Sequence, residues 1–135
     1  PDSRVADLGA FLRRGATLVV TDGEGGGEVR RVEVGRARAA ARYEAIAADD
    51  LVDGTGAGDT FLAGLVAARM GHPLASVGPR GADGSHGTPG ADGPTEADLR
   101  LAAAIGSLTV EDLGVRGVPS LAAVEARLRA SLRPG

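Results

Sequence analysis

The residues of this chain that could do chemistry gather in one run, Val52-Asp53-Gly54-Thr55-Gly56-Ala57-Gly58-Asp59-Thr60-Phe61-Leu62-Ala63-Gly64. Glycines at 56 and 58 let successive backbone N–H groups turn toward a single point. From Asp59 onward, Phe61, Leu62, Leu65, Val66 and Met70 recur at helical spacing. This predicts a helix of about three turns that opens where the glycines end. Such a helix start adds unpaired N–H groups and the positive end of a dipole. The fitting occupant is an anion, a phosphate above all. Asp59 stands at the mouth of that site, where a carboxylate is costly unless it has a task. If it accepts the proton of an attacking hydroxyl, its charge is consumed as a phosphoryl group moves. The run therefore reads as a phosphoryl-transfer loop. It is not a Walker A loop, because no Gly-Lys-Ser/Thr follows, and it lacks the Gly-x-Gly-x-x-Gly spacing of a dinucleotide site. A tight connection between two elements would use the same glycines, so the run alone leaves that alternative open.

The elements that must position this loop can be read on either side of it. Asp2 or Ser3 can cap a helix over 4–14, with Val5, Leu8, Phe11 and Leu12 on one face and Gly15 as its stop. Thr17 to Thr21 is a short β-branched run, a buried strand. The glycine-rich turn 23–27 joins it as a hairpin to a second strand over 28–34, which alternates in character. The stretch 36–50 is ambiguous, since its alanines favour helix while its place between a strand and the loop favours a connector. Leu51 and Val52 are expected to form a short strand entering the loop. Thr95, with Asp98 three residues on, predicts a capped helix over 96–108. Ser120 opens another, with Leu121, Val124, Leu128 and Leu132 on one face. Between the helix after the glycine loop and the one capped by Thr95 lies a glycine-rich insertion over 78–94. Its glycines at 78, 81, 84, 87, 90 and 93 keep a period of three, as collagen does. So few triplets with little proline predict a flexible insertion rather than a triple helix.

Composition narrows the function classes. At 43% hydrophobic and 24% charged, the 135 residues have the balance of a folded domain. Phe11, Phe61 and Tyr43 are the only aromatics, too few for a base-stacking platform. A net charge of −3 gives no footprint for nucleic acid or an anionic membrane. No apolar stretch reaches a bilayer span. Cysteine is absent, which excludes disulfides and thiolate metal sites and fits a cytoplasmic location. His72 and His86 are isolated, so no metal site is expected.

The segment Asp53 to Phe61, with Ala63-Gly64 after it, closely resembles the second signature of the PfkB carbohydrate kinase family, Asp-Thr-Thr-Gly-Ala-Gly-Asp-x-Phe. Gly54 is the one departure. Val19-Val20-Thr21-Asp22-Gly23-Glu24-Gly25-Gly26 is similar to that family's Val-Thr-x-Gly-x-x-Gly turn. Ala102-Ala103-Ala104 through Leu108-Thr109-Val110 to Gly114-Val115 is similar to its alanine-rich helix and the turn near the adenine. The resemblance implies an α/β fold, the C-terminal part of a ribokinase-like three-layer α/β/α sandwich. It implies Asp59 as general base, an anion hole from the amides of Gly56, Ala57 and Gly58, and Thr21, Gly23 and Ala104 at the nucleotide. Asp53 and Thr55 match positions that hold a monovalent cation such as K+ or order the loop. ATP would be the donor, with Mg2+ carried by the nucleotide, and a small sugar or nucleoside the acceptor.

Members of that family are longer, and their N-terminal half supplies the acceptor pocket, a β-lid and the first glycine signature. Their Asn-x-x-Glu motif has no counterpart here, since the chain contains no asparagine. The expectation is therefore a C-terminal, nucleotide-binding half that would act on an acceptor once the N-terminal half is supplied. The alternative is a non-catalytic nucleotide-binding fragment or a degenerate kinase remnant. A third reading, a collagen-like stem, would require a trimer.

Overall fold

A computed structural model describes residues 7–76 and 93–132 of the chain. The glycine repeat, apart from Gly93, and the first part of the expected N-terminal helix lie outside the described residues. The chain divides between Glu44 and Ala45 into two compact units. Among the described residues, the strands belong to the first unit and the long α-helices to the second.

In the first unit, β1 (Thr17–Thr21), β2 (Gly27–Val32) and β3 (Ala37–Tyr43) form an antiparallel sheet in the order β1-β2-β3. The hairpin expected between the first two strands is present. It closes through a 3-10 turn, Gly23–Gly25, in which Gly23 has φ of 49°, and the Gly26 that follows has φ of 78°. A Cβ on Gly27 would stand 2.1 Å from the carbonyl oxygen of Val20, so this glycine permits the close start of the β1–β2 ladder. The second strand begins one residue earlier and ends two residues earlier than its sequence pattern predicts, leaving Val34 exposed.

The ambiguous stretch resolves into β3 followed by an irregular connector. Its alanines prefer helix weakly, and ladder bonds to β2 override that preference. Val29 pairs with Ala41 and Arg30 with Ala39, so Ala40 is an extra residue in β3. Val29, Arg30 and Val32 are all buried, which strict alternation would forbid. The Arg30 guanidinium is satisfied by Glu28, with Nε donating to Oε1 at 2.6 Å.

The helix expected over 4–14 does not continue to Arg14. After Asp7 there is only a 3-10 turn, Leu8–Ala10, and Phe11 is 87% exposed. A short helix needs its apolar face covered, and that of Phe11 is bare. Gly9 is instead pressed on the backbone of Arg36 and Ala37, where a Cβ would come within 2.4 Å.

The second unit is built from α1 (Ala57–Arg69), α2 (Glu96–Thr109) and α3 (Leu121–Ser131). Thr95 and Asp98 form the expected capping box, with the Asp98 N–H donating to Thr95 Oγ1 at 3.2 Å and the Thr95 N–H to Asp98 Oδ2 at 2.8 Å. Ser120 caps α3 by accepting from the Ala123 N–H. Helix α2 lies between the other two, and the core joins Ala68 of α1, Leu101 and Ala104 of α2, and Val124 and Leu128 of α3. In α1 the apolar run divides: Phe61 and Leu65 are buried, while Leu62, Val66 and Met70 are exposed.

Leu51 and Val52 do not form the expected strand. The Val52 and Asp53 N–H groups both donate to the carbonyl of Val110, at 2.8 and 3.0 Å, just beyond the last turn of α2. With those donors taken by a helix end, no ladder can form. No helix among the described residues is long and apolar enough to cross a membrane.

Leu101 is 1% exposed at the centre of the three-helix core. Leu101→Ala is expected to destabilise the second unit by about 2–5 kcal/mol, a large part of a small domain's stability. Urea denaturation followed by circular dichroism at 222 nm measures the change, and a loss below about 1 kcal/mol would show that the core does not rest on α2.

Candidate functional site

The candidate site is the glycine loop and the first turn of α1. Gly56 is the N-cap residue of that helix, with φ of 85°. This left-handed conformation strains any residue with a Cβ, and no side chain caps the helix. The Ala57 N–H donates to the carbonyl of Gly54 at 3.3 Å. The N–H groups of Gly56, Gly58 and Asp59 have no acceptor among the described residues. Unpaired donors at the N-terminus of a 13-residue helix are an arrangement that suits an anion.

Asp59 is exposed in the first turn, and its carboxylate has no hydrogen bond or ion pair among the described residues. A carboxylate there is favourable for the helix dipole and becomes costly only beside a bound anion. Leaving its oxygens unoccupied also keeps them open to a donor from outside.

The other carboxylate of the loop is fully engaged. Asp53 Oδ1 accepts from the Thr55 N–H at 2.9 Å, and Oδ2 accepts from the Gly114 N–H at 3.4 Å. The Thr55 backbone N–H and then its side chain hold the Asp53 carboxyl below the usual aspartate range, with the Gly114 N–H adding to the effect against partial desolvation. The loop is thus closed locally by Asp53–Thr55 and tied to the segment that follows α2.

Two threonines secure the helix start from beneath. Thr60 Oγ1 lies 3.1 Å from the carbonyl oxygens of both Gly56 and Ala57, and Thr109 Oγ1 donates to it at 2.9 Å. Thr109 is 2% exposed, so this bridge between α1 and α2 is shielded from water. Sequence reasoning missed it: 49 residues separate the pair, and no spacing rule connects two hydroxyls across helices. It also missed the Val110 carbonyl, a backbone group with no signature in sequence.

The structure thus gathers Asp53, Thr55, Gly56, Ala57, Gly58 and Asp59 into one loop and helix start. Ala104, expected at the nucleotide, has no exposed surface and packs with Ala68, Leu101, Val124 and Leu128. Its methyl group fills the core and presents nothing to a ligand. Thr21 and Gly23 belong to the first unit, Thr21 exposed at the end of β1 and Gly23 opening the hairpin turn.

The sequence profile of the pfkB family carbohydrate kinases matches residues 3–121. No curated protein sequence matches the chain. Among solved structures, the chain is similar to the ribokinase of Arabidopsis thaliana complexed with ribose and ATP, with 29% identity and a TM-score of 0.57. That match covers 84% of this chain and 29% of the ribokinase. The chain is also similar to a nucleoside kinase of Burkholderia thailandensis in complex with inosine, with 25% identity and a TM-score of 0.56, over 87% of this chain and 32% of the other. The chain therefore spans less than a third of either structure. Its α/β fold is of the ribokinase kind.

The bonds of Asp53 make a pH prediction with a definite sign. Its carboxyl is depressed in the folded chain. Its ordering of the loop is therefore complete above the unfolded aspartate value of about 3.9 and is lost as pH falls through the lower folded value. In an NMR titration, the Thr55 amide resonance is expected to move with a midpoint below about 3.9, and Asp53→Ala should abolish that step. A midpoint at or above the ordinary value would contradict the arrangement.

Proposed function

The chain belongs to the pfkB family of carbohydrate kinases, and on that premise we propose that it carries the phosphoryl-transfer part of an ATP-dependent kinase acting on a hydroxyl of a small sugar or nucleoside. One observation carries the reading. Asp59 offers an unengaged carboxylate beside the unpaired amides of Gly56 and Gly58, at the positive end of α1.

In this reading the acceptor hydroxyl approaches the transferring phosphorus with its proton directed at Asp59. A bond forms between the acceptor oxygen and phosphorus, the bond from phosphorus to the ADP oxygen breaks, and the proton passes to the Asp59 carboxylate. The Gly56 and Gly58 amides hold the charge on the transferring group. The Ala57 amide is assigned the same role, for which its bond to the Gly54 carbonyl must open. Thr21 and Gly23 are assigned to the nucleotide.

Mg2+ arriving with ATP would neutralise phosphate charge. Its ligands would include the nucleotide's phosphates. Of the two roles weighed for Asp53 and Thr55, the engaged oxygens of Asp53 favour loop ordering, and no step is assigned to a monovalent cation. The ribose and inosine bound by the two similar structures both carry ribose hydroxyls, which makes these the acceptors to try first. A chain without cysteine suits a cytoplasmic setting.

A second reading is a nucleotide-binding part without turnover of its own. Titration calorimetry with Mg-ATP, together with an assay of phosphoryl transfer to ribose and to inosine, separates the two. The kinase reading expects Asp59→Asn to keep nucleotide affinity while transfer falls by about 10²–10⁴-fold. Gly56→Val is expected to weaken nucleotide binding by about tenfold or more, since valine resists the left-handed conformation. Binding without transfer in the unsubstituted chain selects the second reading. A folded chain that binds no nucleotide excludes both.

A further inference from the structure

The connector from Ala45 to the glycine loop has no regular structure, and its fixed points are made with α3 and the segment after α2. The Ala47 carbonyl accepts from Arg127 Nη1 at 2.8 Å, and Asp49 Oδ2 accepts from Arg127 Nη2 at 2.9 Å. The Asp49 N–H donates to Glu111 Oε1 at 2.6 Å, and the same oxygen accepts from Arg127 Nη2 at 2.7 Å. Arg127 Nη1 also reaches Ser107 Oγ at 3.4 Å. One guanidinium on α3 thus engages acceptors on the connector, on α2 and on the segment after α2. Its side chain is 11% exposed. Immediately downstream, the Val52 and Asp53 N–H groups rest on Val110, the residue before Glu111.

We propose that Arg127, acting through Glu111, is a positioning residue for the glycine loop: α3, which supplies no group to the site, fixes where the loop begins. A planar fork can serve several acceptors at once only when they stand in fixed relation. Here those acceptors include both strands of polypeptide that bracket the loop, the connector at Ala47 and Asp49 and the post-helix segment at Glu111. Holding Glu111 sets Val110, and the Val110 carbonyl sets Val52 and Asp53. The Asp49 side chain is 88% exposed, so its pairing alone would contribute little. The nearly buried guanidinium and the backbone groups it fixes give the clamp its strength.

The effect on phosphate binding rests on the kinase reading above, whereas the effect on the connector does not, and the experiment separates them. Hydrogen–deuterium exchange of the whole chain, read at the amides of Asp49, Val52 and Asp53, is compared for the unsubstituted protein, Arg127→Met and Arg127→Lys. Methionine keeps much of the apolar stem, and lysine keeps the charge but not the fork. In both variants these three amides are expected to exchange about tenfold faster or more, while the amides of α2 around Leu101 keep their protection. Mg-ATP affinity is expected to fall in parallel without loss of folded protein. Unchanged exchange at Asp49, Val52 and Asp53 overturns the proposal, whatever the nucleotide does. Equal acceleration throughout α2 also overturns it, because Arg127 would then be only a general stabiliser. Should Arg127→Met fail to fold, Glu111→Gln answers the same question at the same amides. Faster exchange with no nucleotide binding in any form upholds the clamp and removes both nucleotide-binding readings.

Discussion

Helix α1 lies close against α2 because the residues at their crossing are small. A Cβ on Gly64 would come within 2.7 Å of Ile105 Cδ1 and 3.2 Å of the Ala102 backbone. Gly106 faces the carbonyl of Ala57 and the Cβ of Phe61, where a Cβ would be only at ordinary contact distance. The first turn of α1 therefore rests almost directly on α2. That closeness lets Thr109 reach Thr60, and it places the end of α2 where the Val110 carbonyl can receive the amides of Val52 and Asp53. The loop's geometry is in this sense a product of helix packing.

The two carboxylates of the loop illustrate how packing assigns roles to like residues. Asp53 has both oxygens engaged by N–H donors, and its acidity is raised accordingly. Asp59, six residues on, has neither oxygen engaged among the described residues. The difference follows from position. Asp53 sits before the turn, facing the backbone that folds back over it, and Asp59 sits on the first helical turn facing outward. A proton acceptor must have an oxygen to offer, and among the loop's carboxylates Asp59 meets that condition. Glu111 shows the same logic at the clamp. Desolvation pushes its carboxyl up, but the Asp49 N–H and the Arg127 guanidinium more than offset this and hold it ionised below the usual glutamate range.

Much of the local structure was legible because it depends on neighbours in sequence. The capping box of Thr95 and Asp98, the Ser120 cap, the hairpin at Gly23 and the helix after Gly58 all follow from contacts within a few residues. The misreadings share the opposite cause. The alanines of β3 read as helix or connector because the partner that makes them a strand is β2, reached through a turn. Leu51 and Val52 read as strand because nothing near them shows that Val110 takes their donors. Phe11 read as the buried face of a helix, and it is exposed.

The sequence by itself determined the candidate loop and the shape of its setting: a glycine run, a helix start and Asp59 in the first turn. These depend on residue type and spacing, since only glycine adopts the left-handed N-cap at position 56 without strain and a helix N-terminus always leaves donors unpaired. Tertiary structure alone decided which donors and carboxylates remained available. It gave the Val52 and Asp53 N–H groups to Val110, brought the Gly114 N–H to Asp53, buried Ala104 in the core and brought Arg127 of α3 to the connector. Those outcomes rest on contacts between groups as far apart as 80 residues in the chain. Such contacts exist only once the helices have packed, because no local rule brings the ends of separate elements together.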